Sequence, residues 1–539
     1  MATERLDHTR LAATSVAPRS FTRIDLPDLP EDVILLVLQH LQIWEIVRCQ
    51  CVSRAWNQTF SNESYLKAAL KRYPGAHEVR ALYALHGPAL HSIQWKSLAQ
   101  SIASRYYHLS HGKVRDVSRF RLFAAEQVGQ YYPVGQWEHH DSQPSGRLYY
   151  QNAAPHLGGM QTKPYLFHQT LWTYSDGLIA FAPAPADQGS RNEFMLSLLD
   201  LSTSRQVPVP FSVLDKVIRN IRLADHILLI EWAERQPFHS LNDVEQVNRH
   251  YVTCFDVKFH QRSLSWAVEF RSEFKIHFLG LPLNSKDRFF STHNAKHYAV
   301  YFFQPNRSMY TGGEERPIES LLVWDISRPS PYLPSADPSG KNGPPPDCGP
   351  RVVARLPFNR LEELGVRQHS QIKLMSLGID SEGCHVIWRE NICEAAYGYF
   401  DPAERDWRAR TTIFPFVTHG PHQYKRRDGY LPPYRGHASM ESCDIEEREI
   451  EKWFVPVMDV LDHASGVRFS LVETCFTGLG VEQRMVVRVK VPCLGESGEY
   501  VVLRDDALVR EITAMGRIAG DERYLVGMNG NMELIVCHF

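Results

Sequence analysis

The stretch LPEDVILLVLQHLQIWEIVRCQCVSRAW, from Leu29 to Trp56, decides how the front of the chain folds. Of its 28 residues, 17 are apolar, which is more than one face of a helix requires. Leu35 and Leu36 widen this apolar surface, so the first helix must be covered on more than one side. Its main stripe consists of residues at helical spacing, namely Val33, Ile34, Val37, Leu38 and Leu41.

This stretch and the residues after it predict a unit of three helices. Pro30 suits the first helical position, and the carboxylates after it favour the positive end of the helix dipole. The pattern breaks at residues 42–44, then predicts a second helix over 45–60 and a third over 61–74, capped by Ser61 or Asn62. So small a unit buries little of its own surface, so we expect one side to pack on the chain and another on a second protein.

These residues resemble an F-box. The matching positions are Leu29-Pro30-x-Asp32, Ile34, Leu38, Leu41, Glu45-Ile46, Cys51-Val52-Ser53-Arg54-x-Trp56 and Tyr65-Leu66. Glu45-Ile46 departs from the usual Asp-Leu pair. The resemblance covers residues 25–72 and implies docking on the Skp-type adaptor of a cullin-based ubiquitin ligase. It gives as candidates for that contact, or for the small core behind it, Leu29, Pro30, Ile34, Leu35, Leu38, Val52 and Trp56. The alternative is an ordinary helical bundle in which Trp56 is a core residue.

Composition narrows the class of protein. The net charge of −2 gives no overall field that would recruit nucleic acid or anionic lipid. No run approaches the ~20 apolar residues of a membrane span, and residues 1–20 lack the apolar core of a secretory signal. The ten cysteines include no C-x-x-C pair, which favours reduced thiols in the cytoplasm or nucleus and predicts neither a metal site nor a cofactor.

The rest of the chain divides by texture. Residues 1–24 are polar and predict a flexible tail, while apolar residues every three to four positions predict a helical linker over 73–135. Beyond residue 136, β-type runs recur. Four segments share one sequence pattern, in which a short apolar strand is followed by an aspartate and a polar turn. The aspartates are Asp200, Asp256, Asp325 and Asp401.

The fold class predicted is therefore an α+β multidomain protein with a three-helix F-box, a helical linker and a large all-β domain over 136–539. Four-stranded units at this spacing favour a β-propeller with six blades, or else seven. The single Trp324-Asp325 resembles the signature of WD repeats. A pair of β-sandwiches or a large barrel remains an alternative, because strand runs alone do not fix topology.

Two long inserts interrupt the β domain. Residues 327–350 are rich in Pro, Gly and Ser and predict a mobile loop. Residues 418–440 interleave cations with aromatics, a composition that suits an acidic or phosphorylated peptide, although a solvated loop is the simpler interpretation. The candidate substrate-binding residues there are Tyr424, Lys425, Arg426, Arg427, Tyr430, Tyr434 and Arg435.

No nucleophile elbow, zinc-protease motif, phosphate loop or dinucleotide fingerprint occurs, so an enzyme is not predicted. The sequence predicts a substrate receptor that binds the adaptor at its front and a target protein through its β domain. Two alternatives stay open: an F-box scaffold without a role in ubiquitination, and a propeller enzyme whose helical front is structural.

Overall fold

The fold is described from a computed structural model, in which the chain divides into two compact units. The first comprises Met1–Pro74 with Ala81–Ala103, and the second Gly75–Arg80 with Ser104–Phe539. The predicted tail, 1–24, lies outside the described residues. The structure describes residues 26, 29–84, 94–122, 172–181, 195–242, 245–260, 263–283, 287–306, 316–341, 343, 345, 347–369, 373–380, 382–394, 406–416, 425–427, 452–476, 483–492, 500–531 and 533–539.

The N-terminal unit contains four short helices where three were predicted. They are α1 (Glu31–His40), α2 (Ile43–Cys49), α3 (Arg54–Phe60) and α4 (Glu63–Leu70). The predicted second helix is split, because Ser53 has extended backbone angles and its side chain caps α3 by accepting from the N–H of Trp56. Asn62, one of the two predicted caps, accepts from the N–H of Ser64.

Two further helices follow, α5 (His77–Ala84) and α6 (Trp95–Ser110), and each has residues in both units. The linker is not helical to its predicted end. Strand β1 (Asp116–Phe120) follows α6 and pairs antiparallel with the last strand, β27 (Leu534–His538). The prediction of a helical linker over 73–135 was wrong at residues 116–120, because this short strand obtains its partner from the far end of the chain.

The described strands of the second unit form six four-stranded antiparallel sheets and one small three-stranded sheet, made of β8 (His239–Ser240), β9 (Gln246–Asn248) and β12 (Leu281–Pro282). In the first three four-stranded sheets, the strands in order are β2 (Trp172–Ser175), β3 (Leu178–Phe181), β4 (Met195–Asp200) and β5 (Arg205–Ser212); β6 (Lys216–Ala224), β7 (Ile227–Glu234), β10 (His250–His260) and β11 (Ser265–Lys275); and β13 (Arg288–His293), β14 (His297–Gln304), β15 (Ile318–Asp325) and β16 (Arg351–Pro357).

The other three sheets follow the same meander. Their strands are β17 (Leu374–Ile379), β18 (His385–Glu394), β19 (Asp406–Pro415) and β20 (Lys425–Arg427); β21 (Lys452–Leu461), β22 (Arg468–Phe476), β23 (Gln483–Lys490) and β24 (Val501–Val502); and β25 (Ile518–Gly520), β26 (Tyr524–Met528), β27 and β1. Two short helices, α7 (Phe358–Glu363) and α8 (Asp506–Ile512), lie between sheets.

The first strands of successive sheets line up as the inner wall of a ring. In the residues that the structure describes, contacts join these strands at five of the six junctions, namely β2 to β6, β6 to β13, β13 to β17, β21 to β25, and β25 back to β2, and the junction of β17 with β21 is not among them. Together with the β1–β27 pairing, in which the front of the unit supplies the outer strand of the last sheet, this is the topology of a β-propeller. Six described sheets agree with the preferred number of blades. The count for the whole chain stays a prediction, because residues 123–171 and other stretches lie outside the described part.

The core lies between neighbouring sheets, and β14 shows why its sequence is almost continuously apolar. Tyr298, Val300 and Phe302 pack on one side with residues of the second sheet such as Leu229. Ala299 and Tyr301 point to the other side and pack with Trp388 of the fourth sheet. Alternation along the strand thus serves two interfaces, so both sets of side chains are buried.

The predicted aspartate turns occur at two of the four positions. The Asp200 carboxylate accepts from the N–H and hydroxyl of Ser202, and the Asp325 carboxylate accepts the same pair from Ser327. Asp256 instead lies inside β10, where it pairs with Arg271 at 2.6 Å. Asp401 lies outside the described residues.

The insert at 327–350 has neither helix nor strand in its described residues, as predicted, but it is anchored. The N–H of Ser330 donates to the carbonyl of Arg271, and the N–H of Ser335 donates to the Glu273 carboxylate. These bonds attach the insert to β11, so its first part is not a free loop.

Candidate functional site

The first helix has one buried and one exposed apolar face. Ile34 and Leu38 are 3% and 2% exposed and belong to the core of the N-terminal unit. Val33 and Leu36, on the opposite side, are 39% and 58% exposed. Leu29, Val33 and Leu36 follow the spacing of one helical stripe, whereas Ile34 and Leu38 follow another. The helix therefore packs on its own unit with one stripe and presents the other to solvent.

The buried stripe is held by contacts from the end of α4. The Arg72 guanidinium donates to the carbonyls of Leu38 and Leu41, at 3.1 and 2.6 Å, where α1 ends. The hydroxyl of the buried Tyr73 accepts from the N–H of Ile43 and donates to the Gln42 side chain. These bonds fix α1 against α2 and hence fix the direction of its exposed face.

A second exposed apolar side chain comes from the turn between α2 and α3. Val52 is 62% exposed in this turn. The Gln50 side chain donates to the carbonyl of Phe60, and the Asn57 side chain donates to the carbonyl of Gln50, both at 2.9 Å. Both bonds tie Gln50, at the start of the turn, to α3, so the turn that carries Val52 is held in place.

The seven sequence candidates differ in how far they are buried. Ile34 and Leu38 are buried within the unit, so they form its core rather than a contact surface. Trp56 is half-buried, with its ring 5.4 Å from that of the fully buried Phe60. Candidates with solvent exposure are Leu29, Pro30, Leu35 and Val52. Val33 and Leu36 were not singled out as candidates, although their spacing from Leu29 would have indicated the shared outer stripe.

The second candidate set lies mostly outside the described residues. Tyr424, Tyr430, Tyr434 and Arg435 belong to undescribed stretches. Lys425, Arg426 and Arg427 form strand β20, which pairs with Thr411, Thr412 and Ile413 of β19. Here the prediction of an open loop differs from the structure, because three residues of the insert complete the fourth sheet.

Titratable groups also meet along the inner strands of the ring. The Arg222 guanidinium donates to the Ser291 hydroxyl at 2.7 Å and lies 4.0 Å from the fully buried Glu231, which accepts from the Tyr298 hydroxyl. Burial and then Glu231 raise the pKa of Tyr298 well above its usual value, so its phenol stays protonated. This arrangement joins neighbouring sheets and offers no activated nucleophile.

Among the described residues, no group of three His, Cys, Asp or Glu side chains is arranged to hold a metal ion, and no helix is long and apolar enough to cross a membrane.

Comparison with protein families decides the nature of the N-terminal unit. The F-box domain model matches residues 26–67, the region that holds α1 to α3 and most of α4. Residues 26–67 form an F-box domain. The exposed stripe of α1 and the turn at Val52 are therefore surfaces of an F-box. No curated protein matches the chain.

Solved structures resemble the chain only distantly. They include the Mitotic Checkpoint Complex, 7% identical over 69% of this chain and 90% of that one, with a TM-score of 0.26. The β-propeller domain of the Trilobed protease from Pyrococcus furiosus is 10% identical over 61% and 81%, with a TM-score of 0.25. Sqt1 from Chaetomium thermophilum is 11% identical over 67% and 93%, with a TM-score of 0.24. Similarities this low carry no argument about function, and strand order and ring closure identify the propeller.

Proposed function

We propose that the chain is the substrate-recognition subunit of a cullin-based, SCF-type ubiquitin ligase. Its F-box domain binds the Skp-type adaptor, and its β domain binds a target protein. The observation that supports this proposal best is the outer face of α1, where Val33 and Leu36 stay exposed while the inner face of the same helix is buried.

The adaptor contact is assigned to the exposed apolar positions of the F-box. Burying a Leu or Val side chain stabilises by about 1.5–3 kcal/mol when it is complete, and part of this is offset by the cost of association. Leu36 and Val52 together therefore supply a substantial share of a micromolar complex. Ile34 and Leu38 contribute indirectly, by holding α1 in place.

Ubiquitination follows by proximity in this proposal. The β domain holds the target while the adaptor connects the chain to the cullin, which raises the effective concentration of target lysines at the charged ubiquitin carrier. The chain itself performs no covalent step in this proposal. We propose the cytoplasm or nucleus as its location, since the ligase machinery works there.

The experiment is direct binding of a purified Skp-type adaptor to the full chain. We expect Leu36→Ser/Val52→Ser to weaken binding by at least about tenfold, because each truncation removes about 1 kcal/mol or more of apolar contact. Leu214→Ser is the matched control, since Leu214 in the β domain has the same 58% exposure as Leu36. Equal binding by all three chains would overturn the proposal.

The scaffold alternative needs a second readout. Deletion of residues 25–72 stabilises a bound target in cells if the chain promotes ubiquitination. It leaves target levels unchanged if the chain only sequesters or scaffolds its partner.

A further inference from the structure

A small three-stranded sheet lies beside the second sheet, and the turn at its end is unusually apolar. The small sheet consists of β8, β9 and β12. Just before β12, Phe278 is 87% exposed and Leu279 is 68% exposed. They are the two most exposed large apolar side chains of the described residues, and Phe238, 40% exposed, lies beside them.

Close packing holds this turn in place. Gly280 has a φ of +77°, and a Cβ atom there would lie 2.6 Å from the carbonyl oxygen of Asn248 and 2.9 Å from the Phe238 ring. Only glycine permits both this backbone angle and this approach. Because β12 also pairs with β9, the turn that carries Phe278 and Leu279 is seated on the small sheet.

Two cations line the same surface, and only one of them has a carboxylate partner. Arg249 lies 4.6 Å above the Phe238 ring and pairs with Glu234 at 3.3 Å. The Lys275 ammonium lies 5.8 Å from the ring centroids of both Phe238 and Phe278. Among the described residues, no carboxylate oxygen lies within ion-pair distance of Lys275. Burial, followed by Arg249, lowers the pKa of Lys275, and the more distant Glu234 carboxylate opposes this shift without reversing it.

We propose that Phe238, Lys275, Phe278 and Leu279 form a docking surface for a target segment in which an apolar side chain lies next to a carboxylate. The inference rests on the proposed function, because it assigns target binding to the β domain. An apolar side chain of the segment covers Phe278 and Leu279, and its carboxylate pairs with Lys275. Such a pair is strengthened by the aromatic surroundings, which exclude water.

Charge selects this occupant over two others. A basic segment meets Lys275 and Arg249 and is repelled. A second copy of the chain, docked through the same surface about a twofold axis, brings Lys275 close to its own equivalent, while the Glu234 carboxylate is already paired with Arg249.

The test is selection of a random 12-residue phage-displayed peptide library on the immobilised full chain. We expect enrichment of peptides with Asp or Glu beside Leu, Ile, Phe or Trp. The variant Phe278→Ser/Leu279→Ser reduces capture of these peptides about tenfold or more. Lys275→Gln retains the preference for apolar residues but loses the preference for acidic ones.

Leu264→Ser is the matched control, because Leu264 is 65% exposed on the second sheet but lies outside the surface. Thermal melts and adaptor binding verify that each variant is folded. Three outcomes overturn the inference: enrichment that survives Phe278→Ser/Leu279→Ser, selection of basic peptides or of none, or a dimer that this double variant abolishes. Failure of the wild-type chain to bind the adaptor overturns the proposed function instead, since the peptide selection contains no adaptor.

Discussion

Ile34 and Leu36 lie two positions apart on α1, yet one is 3% and the other 58% exposed. A step of two residues turns the side chain to the other side of the helix, so neighbours in sequence meet different surroundings. The partner that covers Ile34 is the unit's own core. The partner that covers Leu36 is, in our proposal, another protein.

A cluster of buried charges in the second unit gives a prediction at the same scale. Arg105, in the second unit, pairs with Glu78 and with the fully buried Glu522, the latter at 3.0 Å. Arg105→Met leaves Glu522 without its cation, so we expect the free energy of unfolding to fall by about 3–5 kcal/mol. Denaturant unfolding of the full chain measures this.

The double variant Arg105→Met/Glu522→Gln is the control for that measurement. It removes the stranded charge and should recover a large part of the loss. If the double variant is as unstable as the single one, the ion pair is not the cause.

His293, at the end of β13, gives a pH dependence. Burial and then Arg222 lower its pKa to about 3, below the unfolded value of 6.5. As the pH falls below 6.5, His293 binds a proton in the unfolded chain but stays neutral in the folded chain. The free energy of unfolding therefore falls, by up to about 1.4 kcal/mol per pH unit for this residue.

Comparing His293→Asn with the wild-type chain isolates this contribution. Between pH 6.5 and about pH 5, the free energy of unfolding of the variant should fall less steeply with pH than that of the wild-type chain. The difference in slope should approach about 1.4 kcal/mol per pH unit, the value for one proton. If the free energies of unfolding of the two chains change with pH in the same way, His293 does not have the lowered pKa that its burial indicates.

At the scale of elements, the local sequence predicted whether a segment is helical better than it predicted where each helix begins and ends. The start of α1 and the cap at Asn62 follow from side chains next to them, and both could be predicted. The split between α2 and α3 could not be predicted, because apolar residues continue through it and the break depends on the Ser53 cap and on bonds from Gln50 and Asn57.

Strand β1 shows the limit most clearly, because its partner lies more than four hundred positions away. Val117 and Ser118 pair with Cys537 and Val536, and nothing near residue 116 indicates that. A fragment that begins at residue 136, the boundary expected from sequence, therefore lacks the outer strand of the last sheet.

This boundary can be tested with two fragments. Residues 75–539 contain β1 and should unfold cooperatively, whereas 136–539 expose the edge of β27 and should melt at lower temperature or aggregate. Limited proteolysis and thermal melts distinguish them. Identical melting of the two fragments would contradict the closure of the ring by β1.

For the whole molecule, repetition made the architecture predictable. The strand pairs around residues 172–181, 218–234 and 289–303 were recognisable because each is an apolar run with a turn at its centre. How these sheets are arranged around the ring depends on pairing between distant strands, and no single segment of the sequence indicates that pairing. The candidate site was predictable as an F-box, but its exposed stripe depends on which face the distant α4 covers.

The central claim is that the outer stripe of α1 contacts the adaptor. The most direct measurement places a photo-crosslinking amino acid at position 36, and for comparison at position 214, in the full chain within cells. The account predicts that the Skp-type adaptor is crosslinked from position 36 and not from position 214. Adaptor crosslinked equally from both positions, or from neither, would contradict it.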